Sequence, residues 1–385
     1  NGGMDQILTT NAPMEEVGYL VIDKPGSEFR PSDNMHVMYD FDLNAGGWHD
    51  NAASLTHYFM GDFYIASGAG AYWNSLTGNT VVFNGTDYQT VFNTFGVGYF
   101  NKVIVDKTAW PAKEASVEGG EPASPNSMPS KDSKALTVTL MSDLDMQGGG
   151  AGLTIDEGIL DLNGYIFRTM GNIFINDGGT ILVDAGASLR VLGGDYLTVN
   201  NGGTIEVLGA PGNLATVMHR STGNYEFNIY SGGAISADYG MFQHMGPNGV
   251  FVYDGGIVDP VNSFNNCTFQ DGYVGYATLL LIDNADNVII TNANFPDNAS
   301  TDFNVAKTLD QGFITMNNAS GVFAGEDYDY DDYDRIDWNN DAYTVYSNIT
   351  YANLASTPLS NVSVNLMDGP TIVASDVSDI NGDLI

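Results

Sequence analysis

The sequence predicts an all-β fold: a right-handed parallel β-helix (solenoid) followed by a small partial β-sandwich at the C-terminus. Three observations carry the solenoid. A glycine-pair motif recurs, apolar residues alternate with period two, and helix-period patterns are nearly absent. Gly178-Gly179-Thr180-Ile181 returns as Gly202-Gly203-Thr204-Ile205, Gly232-Gly233-Ala234-Ile235 and Gly255-Gly256-Ile257-Val258, at offsets of 24, 30 and 23 residues. Self-similarity at such a period marks stacked supersecondary units. Within each period Ile181, Val183, Leu189 and Val191, then Leu197, Val199, Ile205 and Val207, alternate with polar neighbours. Each stretch is therefore a short strand with one face inward. Gly-Gly and Asn-Gly pairs supply the positive φ that sharp corners need. One such coil cannot bury its own apolar face, whereas stacked coils bury one another's.

Along the chain, residues 1–24 form an N-terminal tail with a strand-like run Val17-Gly18-Tyr19-Leu20-Val21-Ile22. Coils are expected over residues 25–340. They are seen upstream in Thr80-Val81-Val82-Phe83-Asn84-Gly85, Phe100–Asp106 and Leu160–Tyr165, and downstream in Leu279–Asn284 and Val288–Ala293. Residues 108–134, with Pro111, Pro125, Pro129 and Gly119-Gly120, break the pattern. They read as an excursion loop, because coils lie on both sides. Residues 341–385 hold the partial sandwich.

Composition narrows the function. Of the 385 residues, 43% are hydrophobic, enough for a continuous core, while 12 Lys+Arg face 47 Asp+Glu for a formal net charge of −35. That sign disfavours nucleic acid and anionic membrane surfaces as partners, and suits divalent cations or a basic partner. The sequence has no apolar run long enough to span a bilayer. Cys267, the single cysteine, excludes an internal disulfide and reads as a buried, inert thiol. Few lysines with much Asn, Gly, Thr and aromatic residue suggest a secreted, extracellular or cell-surface setting. A start at Asn1 reads as a processed form or a fragment.

Several stretches resemble a broad group of secreted β-helix surface proteins of the Bacteroidetes-related type. They are Leu162-Asn163-Gly164-Tyr165, the glycine-pair repeats, His219–Tyr225, Asn262–Phe269, and Phe323–Asp331 with Arg335-Ile336-Asp337-Trp338. The resemblance implies surface, adhesive or structural material. Tyr346–Asn353, Thr357–Leu366 and Asp368–Asp383 are similar to the first half of an immunoglobulin-like domain of the carboxypeptidase-regulatory-like or collagen-adhesin B type. A half sandwich exposes unpaired strand edges. One solution is that Tyr19, Leu20, Val21 and Ile22 of one copy complete the edge carrying Val362, Val364 and Leu366 of the next. Head-to-tail copies would then form an open filament. The other is that the edge is a fragment boundary.

Candidate sites are few. In Glu326-Asp327-Tyr328-Asp329-Tyr330-Asp331-Asp332-Tyr333-Asp334, a strand would place Asp327, Asp329 and Asp331 on one face. With Asp334 they make a Ca²⁺ candidate by oxygen density, and a solvated acidic turn is the other reading. A second cation candidate is Asp376, Asp379, Asn381 and Asp383. An enzyme would need paired carboxylates, or a base beside a cation. The basic candidates His219, Arg220, His244, Arg190 and Arg168 have no Asp pair at strand-alternate positions in the same coil as Arg220, so no catalytic residue is assigned. Asn200-Asn201, Asn265-Asn266, Asn284, Asn292 and Asn317-Asn318 are expected to stack as corner ladders. Tyr72-Trp73 and Tyr328, Tyr330 and Tyr333 are the aromatic surface candidates for binding glycans. The expected function is an extracellular structural protein that polymerises with copies of itself. The alternative is a surface adhesin or glycan-binding module, and a polysaccharide-active enzyme ranks last.

Overall fold

The structure, a computed structural model, describes residues 6–8, 15–66, 71–74, 78–93, 98–108, 136–147, 152–275, 277–296, 303–339, 347–348, 363–368, 371–377 and 383–384. The chain divides into two compact units, Asn1–Asn339 and Asn340–Ile385.

The first unit is the expected all-β parallel solenoid. The chain visits three parallel sheets in turn: Ile173–Ile175 in the first, Gly179–Asp184 in the second and Ser188–Val191 in the third. It then repeats the circuit with Tyr196–Val199, Thr204–Leu208 and Ala215–His219, and again with Tyr225–Ile229, Ala234–Asp238 and Gly240–Gln243. Register stacks like on like. Ile181 pairs with Ile205, Ile205 with Ile235 and Ile235 with Val258 in the second sheet. Phe167, Leu189, Val217, Phe242 and Phe269 form the corresponding column of the third. All of these side chains are buried, and each contributes about 1.5–3 kcal/mol by leaving water.

The glycine pairs do two different jobs at the corner into the second sheet. The first glycine of each pair is left-handed: Gly202 has φ 77° and Gly232 φ 76°. The amide of Gly202 donates to Gly232 O on the next turn (2.9 Å). The second glycine is needed for closeness, since a Cβ on Gly233 would lie 2.6 Å from Val199 O of the turn below. The opposite corner uses asparagine instead. Asn266, Asn292 and Asn318 all have positive φ (54°, 58° and 52°), a conformation asparagine tolerates. Asn292 Nδ2 donates to Asn266 Oδ1 (2.9 Å), and Asn266 Nδ2 to Asp238 Oδ1 (2.8 Å). Asn200 Nδ2 donates to Asn176 Oδ1 (2.7 Å) at another corner. The corner ladders expected from the sequence are thus formed at Asn200, Asn266 and Asn292, whereas Asn284 Nδ2 donates to the backbone at Gly256 O (3.2 Å).

The N-terminal boundary is corrected. Residues 1–24 are not a loose tail, because their described strands already belong to the stack. Gln6–Leu8 pairs with Phe29–Pro31, Glu15–Val17 with Met35–Val37, and Leu20–Ile22 with Phe41–Leu43, all parallel. Ile22 is buried in the core. These first turns carry a dense aromatic core, including both buried tryptophans: Phe41, Trp48, Phe59, Phe63, Trp73, Phe83 and Phe100 are buried. Trp48 and Trp73 stack face to face at 4.4 Å. Trp73 is therefore a core residue and not the surface glycan platform expected of it.

The break at 108–134 interrupts the chain without interrupting the stack. Lys102–Asp106 and Leu153–Ile155 pair directly, and so do Gln89–Val91 and Val138–Leu140. Described strands of the second unit form two antiparallel pairs, Ser363–Asp368 with Thr371–Val377 and Ser347–Asn348 with Asp383–Leu384. Val364 and Leu366 lie on the first of these strands, whereas Val362 lies outside the described residues.

Candidate functional site

The third sheet differs chemically from the second. It is six-stranded, and after its first strand, Leu144–Asp145, the strands read IFR, SLRV, ATVMH, GMFQ and TFQ. None of these five contains an Asp or Glu. By contrast every strand of the second sheet from Leu153–Asp161 to Ile257–Asn265 carries at least one. In register, Asp145 sits beside Arg168, Arg168 beside Arg190, and Arg190 beside Met218. The parallel column holds Ile166, Ser188, Thr216, Met241 and Thr268. Gln243 pairs with Gln270 at the far end. Alternation turns these residues outward while Phe167, Leu189, Val217, Phe242 and Phe269 fill the core.

The arginines have unequal duties. Arg220 is a clamp: Nη1 donates to Met146 O (2.5 Å) and Thr169 O (3.1 Å), and Nη2 lies 2.6 Å from Asp145 Oδ1. It closes the end of the third sheet with its charge fully used. Burial pushes the Asp145 carboxyl above the ordinary aspartate range, although Arg220 and Arg168 pull against it. Arg168 Nη2 lies 3.5 Å from Asp143 Oδ2. Arg190 is the one left available. Its Nε donates to Ser188 Oγ (3.2 Å), and among the described residues it makes no ion pair. Partial burial, and then the neighbouring Arg168, lower its affinity for the proton.

At the strand ends, His219 and His244 stack with ring centroids 3.8 Å apart and planes 12° from parallel. His219 Nδ1 is 2.8 Å from Gly223 O. Burial, and then the neighbouring His219, hold His244 below the usual imidazole range. Register thus brings Arg168 beside Arg190, and ring stacking brings His219 beside His244, with Arg220 turned along the stack.

The acidic run does something other than collect a cation. Glu326–Tyr328 is a 3₁₀ turn and only Asp329–Asp331 is a strand, so Asp327 does not share a strand face with Asp329 and Asp331. Asp329 accepts from Trp338 Nε1 (2.5 Å). Asp331 accepts the backbone amides of Tyr333 (3.0 Å), Arg335 and Ile336. Asp334 is an exposed turn residue with φ 58°. Asp331 is committed to turn amides and one Asp329 oxygen to an indole, and Asp327 lies off the strand, so the shared face on which the Ca²⁺ expectation at Asp327, Asp329, Asp331 and Asp334 rested is not formed. Among the described residues no group of three or more His, Cys, Asp or Glu is placed to hold a metal ion. Tyr330 and Tyr333 are exposed. Cys267 is buried beside the Gly240 amide (3.3 Å), and burial pushes its thiol well up.

Two polar features inside the stack gave no sequence signal. His57 and Asp50 are fully buried. Asp50 Oδ1 takes Trp48 Nε1–H (2.7 Å) and lies 2.9 Å from His57 Nε2, while Oδ2 takes Asn79 Nδ2–H (2.6 Å). His57 Nδ1 accepts the Met35 amide (3.2 Å), so its proton sits on Nε2, facing the carboxylate. Burial pushes Asp50 up, but the bonds from His57, Asn79 and Trp48 together hold it below the aspartate range. The second feature is a pair of buried lysines at equivalent corners. Lys107 Nζ donates to Asp87 O (2.5 Å), Gln89 Oε1 (2.7 Å) and Asn84 O (3.3 Å). Lys307 Nζ donates to Asn284 O (2.8 Å) and Ile282 O (3.3 Å). Both follow alternation rules for an inward residue, which polar sequence alone does not reveal.

No protein-family model matches the chain, and neither a curated protein nor a solved structure matches it. The parallel β-solenoid is what the chain is shown to be.

Proposed function

We propose that the chain is an extracellular, surface-exposed solenoid scaffold that binds glycans along its third sheet. One observation carries this reading: five consecutive strands without a carboxylate, in a chain of net charge −35. Their outward residues (Arg, Ser, Thr, Met and Gln) are hydrogen-bonding or weakly apolar groups of the kind that line sites for polar ligands. Successive strands rise by about 4.8 Å, so the strip is long, straight and regular, suited to an extended polymer. Composition and the resemblance to secreted β-helix surface proteins support the setting. The test is binding of the purified chain to an array of extracellular polysaccharides. Retention of one glycan class, lost when Thr216 and Gln243 are both replaced by glutamate, supports the reading. No retention on any glycan sinks it.

A second reading, a head-to-tail filament, is favoured by the first turn. Leu20–Ile22 pairs with Phe41–Leu43 on one side only among the described residues, and Tyr19 (66%) and Val21 (57%) are exposed beside it. An open strand edge is a template for another chain. The contact would be stacking of solenoid ends, not the donation of residues 19–22, which are committed to their own stack. Electron micrographs showing fibres would favour it, and monodisperse particles would refute it.

A further inference from the structure

We propose that Arg168 and Arg190 form an oxyanion subsite, and that the glycan they take carries carboxylate or sulfate groups. This rests on the glycan-binding reading of the third sheet and narrows it. Five arginines occur in the chain: Arg30, Arg168, Arg190, Arg220 and Arg335. Arg30 is engaged with Glu28, and Arg335 lies 2.6 Å from Asp310 and over the Phe313 ring. Arg220 is consumed by Asp145 and two carbonyls. Arg190 alone has a guanidinium whose terminal nitrogens meet no described acceptor, and it is register-paired with a second arginine.

Two like charges on adjacent strands repel each other, and Asp143 and Asp145, both on the Arg168 side, together with Arg220 in the same cluster, leave one positive charge in excess. An anion between Arg168 and Arg190 removes that repulsion and satisfies the fork geometry of guanidinium, which matches carboxylate and sulfate oxygens. The neighbouring carboxylate Asp143 lies 3.5 Å from Arg168 and its charge also reaches Arg190, but it makes no ion pair with Arg190. From Arg190 the strip continues through Met218 and Thr216 to Gln243 and Gln270. An extended sugar chain would thus have its charged group at the arginine end and its hydroxyls over the amides. Gln243 and Gln270 are already oriented by Asp271, to which both donate (3.2 and 3.1 Å). A uronate and a sulfated sugar present the same chemistry here, so both belong in the test.

The experiment is calorimetric titration of the full chain with three oligosaccharides of equal length: an oligogalacturonate, a sulfated oligogalactan and a neutral oligogalactan. Wild type should bind at least one anionic ligand and bind the neutral one about tenfold more weakly, the worth of one charge-assisted contact. R190Q should lose that discrimination with an unchanged thermal melt. R335Q removes the same charge elsewhere and should bind like wild type. Which anionic ligand binds decides between uronate and sulfate. Equal binding of neutral and anionic ligands overturns the subsite and leaves the glycan-binding sheet standing, while failure of all three overturns both. Equal losses in R190Q and R335Q reduce the effect to net charge, which also overturns the subsite.

Discussion

Replacing Lys107 with methionine removes an ammonium from the interior and changes how stability responds to alkali. Lys107 is 1% exposed and hands three hydrogen bonds to corner oxygens of the preceding turn. Burial, opposed by Asp87, lowers its pKa from 10.5 to about 8. The unfolded lysine therefore holds its proton between pH 8 and 10.5 while the folded one releases it. The unfolded state binds more protons, and stability rises with pH through that window. The full difference is worth about 3 kcal/mol, of which about 1.5 kcal/mol accrues between pH 8 and 9.5. That narrower range stays below ordinary tyrosine ionisation, which otherwise opposes the effect through buried Tyr225, whose phenol burial pushes far up. Urea unfolding at half-unit intervals should show wild-type stability climbing relative to K107M by that amount. Parallel curves across pH 8–9.5 would mean the buried amine is not held near 8, and the reasoning from burial would fall.

Gly233→Ala should cost about 1–3 kcal/mol by overpacking, because the new methyl meets Val199 O; a melting temperature within a degree of wild type would contradict the close-approach role of the second glycine. Asp50→Ala should cost about 3–5 kcal/mol, the usual penalty for breaking a buried polar pair. Because the folded Asp50 pKa is depressed, its stabilisation should be complete above the unfolded value near 3.9 and fade as pH falls further, seen as a steeper acid limb in wild type than in Asp50→Asn. Asp329 shifts the other way. Burial first, then Glu326, Asp331 and Asp334, push it up to about 6 against the bond from Trp338. Stability should fall by about 1–2 kcal/mol as pH rises from 4 to 6.5, with a Trp338 emission change of midpoint near 6 that is missing in D329N.

The solenoid was legible because its corners and its core obey separate rules that both leave marks. Glycine pairs mark one corner and asparagines another, and period-two alternation marks the inward columns. The first turns were harder. Leu20–Pro31 runs as one strand element through register shifts at Asp23 and Glu28, so its alternation slips and no glycine pair announces the turn. The acidic run misled for a related reason. Density of carboxylates says nothing of direction, and Asp331 spends its oxygens on the amides of its own turn. The arginine strip was half visible. Arg168, Arg190 and Arg220 could be placed one or two coils apart, but register decides that Arg168 and Arg190 are neighbours while Arg220 reaches back to Thr169 and Met146. Asp50 and His57 could not be seen at all, since a buried polar pair reads in sequence as two exposed residues.

The pairing of each strand that flanks the break with the turns on either side of it has a bearing on how such a chain diversifies. Lys102–Asp106 and Thr137–Leu140 hold their places through neighbours above and below, Thr80–Asn84 and Leu153–Asp161 for the former, Gln89–Asn93 and Leu153–Asp161 for the latter. Each strand is thus anchored vertically, through pairings made by the turns above and below it. Lengthening, shortening or exchanging the segment that joins two such strands alters what is displayed at that corner without asking the scaffold to refold. The corner after Asp106 is a socket, and a foreign loop or small domain spliced there should be carried by the same stack.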